Sequence, residues 1–200
     1  MNYTIVGLGN PGQEYEDTRH NTGWMAVGAL AKRIGLDKSE WKEDKKIKSD
    51  IAKVKIGKKT ALLIKPKTFM NKSGDAVRGL IKTKKAAETL VVVHDDMDIP
   101  FGKIKLSFNK SSGGHRGVES IIKAVKTEGF IRMRVGICPT TPSGKLKKPQ
   151  GEEAVIKLIL DKIKAKDLDD WKKIMKRAGE GLELIVTEGK DKATGVVNSQ

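Results

Sequence analysis

The chain has 200 residues, of which 40 are Lys or Arg and 25 are Asp or Glu, so its formal net charge is +15 at pH 7. No run approaches the roughly 18 apolar residues needed to cross a bilayer, which excludes a membrane protein and predicts one domain over residues 1–200. The single cysteine, Cys138, excludes an internal disulfide framework, and we expect a cytoplasmic protein without a signal peptide.

Hydrophobic periodicity predicts alternating strands and helices in the first half of the chain. Thr22 is a plausible helix cap, and apolar residues recur at helical spacing behind it. Leu80 is expected to face inward in the next helix, together with Val77 and Ile81. The predicted elements are a strand at 2–9, a helix at 22–35, a charged connector at 37–48, a hairpin at 51–56 and 60–64, and a helix from Ser73 to about residue 84.

The second half continues the same alternation. Its predicted elements are a buried strand at 90–93, a strand at 102–108, a Ser/Gly loop at 109–114, a helix to about 126, a strand at 130–138, a loop and lid at 139–150, and two final helices near 151–164 and 167–187. The order of the elements predicts an α/β fold, a single-domain three-layer α/β/α sandwich around a twisted mixed β-sheet.

The positive charge indicates a class of partner. Lysines are scattered over many segments and do not gather on one amphipathic helix, so a membrane surface is not the predicted partner. A polyanion such as nucleic acid is favoured. A solvated surface, or the lysine enrichment of heat-adapted proteins, is the alternative.

The run Gly7-x-Gly9-x-x-Gly12 follows the first strand and matches the glycine spacing of a dinucleotide-binding turn. That turn requires a helix to begin within the glycines, so that the N-terminus of the helix faces the pyrophosphate. Pro11 and the polar stretch 13–19 carry no apolar helical face. We therefore reject the nucleotide-dependent oxidoreductase that the glycines alone would indicate, and we expect no cofactor.

The chain's three histidines, His20, His94 and His115, all lie in polar clusters at the end of an apolar run or beside a Gly-rich loop. Most histidines are structural, but His20 lies on a loop after a strand, where open α/β sheets bind ligands. It could take a proton from water, with Asp95 as the carboxylate that orients it. The alternatives are an exposed acidic turn and a metal site. No histidine pair has a close ligand spacing, so we expect no metal.

Other polar residues admit two interpretations. Asn71 could cap the helix that follows it or hydrogen-bond a substrate carbonyl. Ser73 lacks the glycines of a nucleophile elbow, so we do not predict a serine nucleophile. Cys138 ends a strand without basic neighbours in sequence and is predicted to be a core thiol.

Taken together, these residues resemble the bacterial-type peptidyl-tRNA hydrolase family. The resemblance spans nearly the whole chain in the family's order. The matching segments are Val6-Gly-Leu-Gly-Asn-Pro-Gly12, Tyr15-x-x-Thr-Arg-His-Asn-x-Gly23, Pro66-x-Thr-Phe-Met-Asn-x-Ser-Gly74, Val93-His-Asp-Asp-Met-Asp-Ile-Pro100, Gly113-Gly-His-x-Gly117 and Asp191-Lys-Ala-Thr194.

The resemblance implies an enzyme with a phosphorylase/hydrolase-like α/β fold that cleaves the ester between a peptide and the terminal ribose of tRNA, without a metal. It implies that His20 is the general base, that Asp95 orients it, and that Asn10 helps to hold the substrate and the water. The predicted partner is peptidyl-tRNA, and the expected state is a monomer. The further residues predicted to bind the peptide or the tRNA are Tyr15, Phe69, Asn71, His115, Arg116, Lys103, Lys105 and Arg134.

One position departs from the family. Arg116 stands where the family usually has asparagine, and an arginine side chain donates hydrogen bonds but accepts none. It could bind a phosphate or the substrate carbonyl instead. The departure keeps a second hypothesis open, in which the chain is a non-catalytic RNA-binding member of the family.

Overall fold

A seven-stranded mixed sheet runs through residues 2–200, the part of the chain that this computed structural model describes. Met1 lies outside the described residues. The strands are β1 (Asn2–Gly7), β2 (Lys42–Asp44), β3 (Ser49–Ile56), β4 (Lys59–Pro66), β5 (Leu90–Pro100), β6 (Ile104–Phe108) and β7 (Ile131–Cys138). The helices are α1 (Thr22–Arg33), α2 (Asp75–Arg78), α3 (Lys84–Ala87), α4 (Arg116–Val125), α5 (Glu152–Leu160), α6 (Leu168–Glu188) and α7 (Lys190–Asn198).

The strand order is β2-β3-β4-β1-β5-β7-β6. β1 is parallel to both β4 and β5, and β5 is parallel to β7, whereas the outer pairs are antiparallel. The pairing of β1 with β5 ends at Gly7 and Val93, while β5 continues beside β7. Residues after Val93 on β5 therefore border the loop that follows β1.

Two apolar cores lie on opposite faces of the sheet. One packs β-strand residues against α1, α6 and α7, with Leu30 and Leu182 fully buried. The other packs the opposite face against α2 and α4, with Val77 and Ile121 fully buried. Helices on both faces of a mixed sheet confirm the predicted three-layer α/β/α fold.

Four element predictions were wrong in part, three of them in the strands or at the C-terminus. The strand predicted at 90–93 extends to Pro100, so Asp95 lies within β5 and not beyond its end. The connector predicted at 37–48 contains β2, which pairs with β3. A third C-terminal helix, α7, follows α6 directly after Gly189.

The single helix predicted from Ser73 to about residue 84 is two short helices. α2 ends at Arg78, directly before Gly79, a residue of low helix propensity, and Thr83 caps the N-terminus of α3 by accepting a hydrogen bond from the backbone N–H of Ala86 at 3.1 Å. Ser73 does not cap α2, because its hydroxyl donates to the carbonyl of Met70. Leu80 is exposed as a result, contrary to the prediction that it faces inward.

Among residues 2–200, none of the helices combines the length and apolar character that a bilayer crossing requires. The segment 139–150 contains neither helix nor strand apart from a bridge between Thr140 and Leu146. Its motion as a lid, and the extent of the domain over residues 1–200, stay predictions.

Candidate active site

A pocket of about 470 Å³ opens beside the end of β1 and the second half of β5. Its floor holds the predicted residues Asn10, His20 and Asp95, and one wall is the loop 112–116 before α4. Apolar side chains of α5 form a further wall. The α5 residues that line the pocket are Glu152, Val155, Ile156, Ile159 and Leu160.

His20 and Asp95 form a buried pair at the centre of the pocket. The Nδ1 atom of His20 lies 3.0 and 3.1 Å from the two carboxylate oxygens of Asp95. An ionised carboxylate only accepts hydrogen bonds, so Nδ1 carries the proton and donates. The other ring nitrogen of His20, Nε2, therefore holds the lone pair that a general base requires.

His115 contacts the same carboxylate from the other side. Its Nδ1 atom accepts from the backbone N–H groups of Gly117 and Val118 at 3.1 and 3.3 Å, which caps α4. Nε2 must then carry the proton, and it donates to Asp95 Oδ1 at 3.0 Å. Sequence reasoning missed this contact, because it predicted only a substrate contact for His115.

The charge of the pair follows from its surroundings. Burial alone would raise the pKa of Asp95, but the imidazoles of His20 and His115 and their hydrogen bonds hold it well below its ordinary value. Burial lowers the pKa of His20, while the charge of Asp95 and its hydrogen bond raise it, and the net direction is upward. Arg116 opposes that rise.

His94 lies behind the pair and is fully enclosed. Its Nδ1 donates to the backbone carbonyl of Asp95 at 2.7 Å, and its ring packs edge-on against His115 with centroids 4.7 Å apart. Within residues 2–200, its Nε2 has no hydrogen-bond partner. Burial, and then the neighbouring His115, lower the pKa of His94 well below its ordinary value, so this residue is a neutral packing partner.

Asn10 is held by a reciprocal pair of hydrogen bonds with Asn21. The Asn10 backbone N–H donates to Asn21 Oδ1 at 2.8 Å, and Asn21 Nδ2 donates to the Asn10 carbonyl at 3.0 Å. The Asn10 side-chain oxygen accepts from the Met70 N–H at 2.8 Å, so its Nδ2 remains as the donor toward the pocket. Sequence reasoning assigned no role to Asn21, which orients this loop.

The remaining wall is aromatic and amide in character. Tyr15 and Phe69 lie edge to face with centroids 6.4 Å apart, and Phe69 is 57% exposed. Asn71 lines the pocket and does not cap α2, whose N-cap position is Gly74. This placement agrees with the substrate-binding interpretation of Asn71, which stays a prediction.

Of the four cationic residues predicted to bind substrate, one lines the pocket and three lie outside it. Arg116 lines the pocket and pairs with Glu152. Lys103, Lys105 and Arg134 do not line it. Arg134 donates to Asp96 at 2.7 Å, so its guanidinium is already paired.

The glycine run serves packing. A Cβ on Gly7 would overlap the backbone of Gly23 in α1, and one on Gly9 would overlap the ring of Trp24. After Gly12 the chain forms two short 3₁₀ turns, Gln13–Tyr15 and Arg19–Asn21, and α1 begins only at Thr22. In the described loop, no helix begins within the glycine run. This geometry agrees with the rejection of a dinucleotide-binding turn.

One set of side chains could hold a metal. Nitrogen atoms of His20 and His115 and an oxygen of Asp95 lie within 4.8 Å of one another. Two histidines and a carboxylate are a donor set that divalent transition metals accept. The same atoms are also joined by hydrogen bonds of 3.0 Å, so the carboxylate satisfies both imidazoles directly. The spacing of these residues in the sequence did not indicate that they lie so close together.

Cys138 is buried and lies outside the pocket, as predicted for a core thiol.

A three-layer sandwich with a buried His–Asp pair in a pocket beside the ends of parallel strands is typical of α/β enzymes. Comparison with known proteins gives the family. Residues 4–200 match the family model described as peptidyl-tRNA hydrolase. This chain belongs to that family.

Relatives match along nearly the whole chain. The peptidyl-tRNA hydrolase of Thermodesulfovibrio yellowstonii is 40% identical over 199 residues and 97% of each chain, and that of Aquifex aeolicus is 39% identical over 98% of this chain and 96% of the relative. The crystal structure of peptidyl-tRNA hydrolase from Acinetobacter baumannii superposes with a TM-score of 0.84 at 29% identity, covering 98% of this chain and 94% of the other. A peptidyl-tRNA hydrolase solved with N-propanol gives a TM-score of 0.85 at 30% identity with the same coverage.

Proposed function

We propose that this chain hydrolyses the ester between peptide and tRNA in peptidyl-tRNA and so recycles the tRNA. The relatives at up to 40% identity are named peptidyl-tRNA hydrolase, and membership of that family supports the activity. The observation that carries the mechanism is the contact of His20 Nδ1 with both oxygens of Asp95, because it leaves Nε2 free to accept a proton.

The proposed reaction uses water as the nucleophile. His20 Nε2 takes a proton from water as the oxygen attacks the ester carbonyl, and the tetrahedral intermediate carries the negative charge on the former carbonyl oxygen. Asp95 stabilises the imidazolium that forms. When the intermediate collapses, the imidazolium returns the proton to the ribose oxygen, which leaves as a hydroxyl, and the peptide leaves as a carboxylic acid.

Amide donors supply a second contribution to the proposed rate enhancement, beside that of the general base. Asn10 Nδ2 and the side chain of Asn71 face the pocket and can donate to the developing oxyanion. One such donor is worth about 10² to 10³ in rate. A positioned base adds about 10² to 10⁴. An activated ester needs no covalent intermediate if both contributions act together.

The pocket supports separate places for the two parts of the substrate. The apolar wall of α5, with Tyr15 and Phe69 opposite, fits a peptide. The tRNA would be held through its phosphates, which give affinity without base specificity and so suit an enzyme that accepts many tRNAs. Lys103 and Lys105 are exposed and can make such contacts, although Lys103 must first leave the carbonyl of Gln200, to which it donates at 3.2 Å.

We further propose that the enzyme acts in the cytoplasm as a monomer. A lone buried thiol is compatible with a reducing compartment.

Release of tRNA from N-acetyl-aminoacyl-tRNA tests the function. The native protein should cleave this substrate, and His20→Ala should lose at least about 10²-fold in kcat because the base is gone. Circular dichroism and thermal unfolding should show an intact fold. Glu88→Ala, an exposed change outside the pocket, is the control.

Full activity of His20→Ala would overturn the mechanism. The non-catalytic RNA-binding alternative would be supported if the native protein bound tRNA tightly but did not cleave the ester at high enzyme concentration. The observation that favours this alternative is Arg116, which stands where the family usually has asparagine.

A further inference from the structure

An ion pair crosses the mouth of the pocket. Arg116 is the first residue of α4 and Glu152 is the first residue of α5, and both line the pocket. A guanidinium nitrogen of Arg116 lies 2.7 Å from a carboxylate oxygen of Glu152. The pair therefore joins the wall that carries His115 to the apolar wall of α5.

This ion pair is easily exchanged. The side chains of Arg116 and Glu152 are 70% and 71% exposed, and solvent screens a pair at that exposure so strongly that it contributes little stability. The contact uses one guanidinium nitrogen and one carboxylate oxygen. A phosphate can engage the guanidinium through two parallel hydrogen bonds, which makes it the stronger partner.

The position of Arg116 selects one phosphate of the substrate. Arg116 lines the same pocket as His20 and directly follows His115, whose ring centroid lies 5.2 Å from that of His20, so the arginine borders the pocket that holds the reacting centre. In peptidyl-tRNA, the phosphodiester nearest to the ester is attached to the same terminal ribose. Other tRNA phosphates are at least one nucleotide further away.

We propose that Arg116 binds this terminal phosphodiester and that Glu152 occupies Arg116 in the free enzyme as a competing anion. Phosphate displaces Glu152, and the tie between α4 and α5 is released as the substrate enters. The proposal rests on the proposed function, since it takes the ester-bearing ribose to lie beside His20. It gives the arginine that replaces the family's usual asparagine a specific ligand.

Binding of two probes that lack a carboxylic ester tests the proposal: adenosine is compared with the methyl ester of adenosine 5′-phosphate. They differ by one phosphodiester. Titration followed by NMR should show about tenfold tighter binding of the phosphodiester by the native protein, and Arg116→Gln should reduce this preference to about twofold or less. Arg116→Lys should fall between the two, because it keeps the charge without the planar fork.

Glu152→Gln should tighten binding of the phosphodiester about threefold or more, because the competing anion is removed, and leave adenosine binding as it is. Glu153→Gln, the adjacent exposed acid outside the pocket, is the matched control and should change neither affinity. Thermal unfolding verifies that each variant is folded.

Two results would overturn the proposal: a phosphodiester preference that survives in Arg116→Gln, or one that responds equally to Glu152→Gln and Glu153→Gln. Because neither probe contains a carboxylic ester that His20 could help to cleave, failure of this test is separate from failure of hydrolysis. A protein can lack the phosphate preference and still cleave N-acetyl-aminoacyl-tRNA.

Discussion

At the residue scale, one carboxylate organises the whole site. Asp95 is 3% exposed and accepts from both His20 and His115. A buried charge is costly unless its lone pairs are satisfied, and the two imidazoles satisfy them. Each imidazole is thereby fixed in one tautomer, so the protonation state of the base and its direction are set before substrate binds.

Replacement of Asp95 by asparagine should move the pH dependence of hydrolysis. Hydrolysis needs neutral His20, and Asp95 raises the pKa of His20, so native kcat/KM should lose activity as pH falls through a value above the ordinary 6.5. In Asp95→Asn, burial is no longer opposed by the carboxylate, and this acid limb should shift to lower pH. The maximal rate should also fall by about 10² or more, because the imidazolium loses its counter-charge.

The measurement is kcat/KM for N-acetyl-aminoacyl-tRNA across pH at constant ionic strength. Asp98→Asn is the control, because it removes the same charge from the same strand but from an exposed residue paired with Lys148. Its acid limb should remain at the native position. A limb that moves to higher pH in Asp95→Asn would contradict the assigned electrostatics.

Single residues of the site were predictable where their chemistry is local. The sequence placed His20 and Asp95 in polar clusters that follow apolar runs, and the family resemblance implied that they pair. The contacts of Asn21 and His115 were not predictable, because each depends on the direction in which a side chain points across a gap of many residues. The role of His94 also followed only from its complete burial.

At the element scale, the site depends on how closely α1 approaches the sheet. Gly23 lies in the first turn of α1, and a Cβ there would overlap the backbone of Leu8 and Val93. These contacts hold the start of α1 against the end of β1 and the middle of β5. The loop that carries His20 is anchored at the same place, directly before α1.

Gly23→Ala should therefore destabilise the fold and reduce hydrolysis. Forcing a methyl into a packed backbone contact costs about 1–3 kcal/mol or more, since backbone atoms cannot rotate away. Gly28→Ala is a matched control within the same helix, where the nearest atom to the new Cβ is 3.7 Å away. It should stabilise by about 0.5–1 kcal/mol through helix propensity. Urea unfolding measures both, and equal stabilities would contradict the close approach.

Element prediction succeeded where periodicity was strong and failed where a tertiary partner decided the outcome. The hairpin of β3 and β4 was confirmed because its apolar residues and its turn are local signals. The second half of β5 is polar in sequence and is a strand only because β7 pairs with it. β2 is likewise a strand through its pairing with β3.

At the scale of the whole molecule, the three-layer topology was predictable because strands and helices alternate along the chain. The position of the proposed catalytic pocket was harder to predict, because it depends on β1 ending before β5 does. The net charge of +15 has no bearing on that topology. We propose that its lysines contact the phosphates of tRNA that lie beyond the pocket.

The charge predicts how salt should act on the enzyme. If Lys and Arg neutralise phosphates of tRNA, released counterions make the affinity fall with salt with a log–log slope of about −0.9 per contact. With about four contacts, a change from 50 to 200 mM salt should raise KM for N-acetyl-aminoacyl-tRNA by about 10²-fold. KM for the same acyl group on adenosine, which carries no phosphate, should stay nearly constant. Because both substrates present the same ester to His20, kcat should respond to salt alike for the two. A salt effect of equal size on both KM values would mean that salt acts on the pocket itself, and the basic surface would then have no part in binding tRNA.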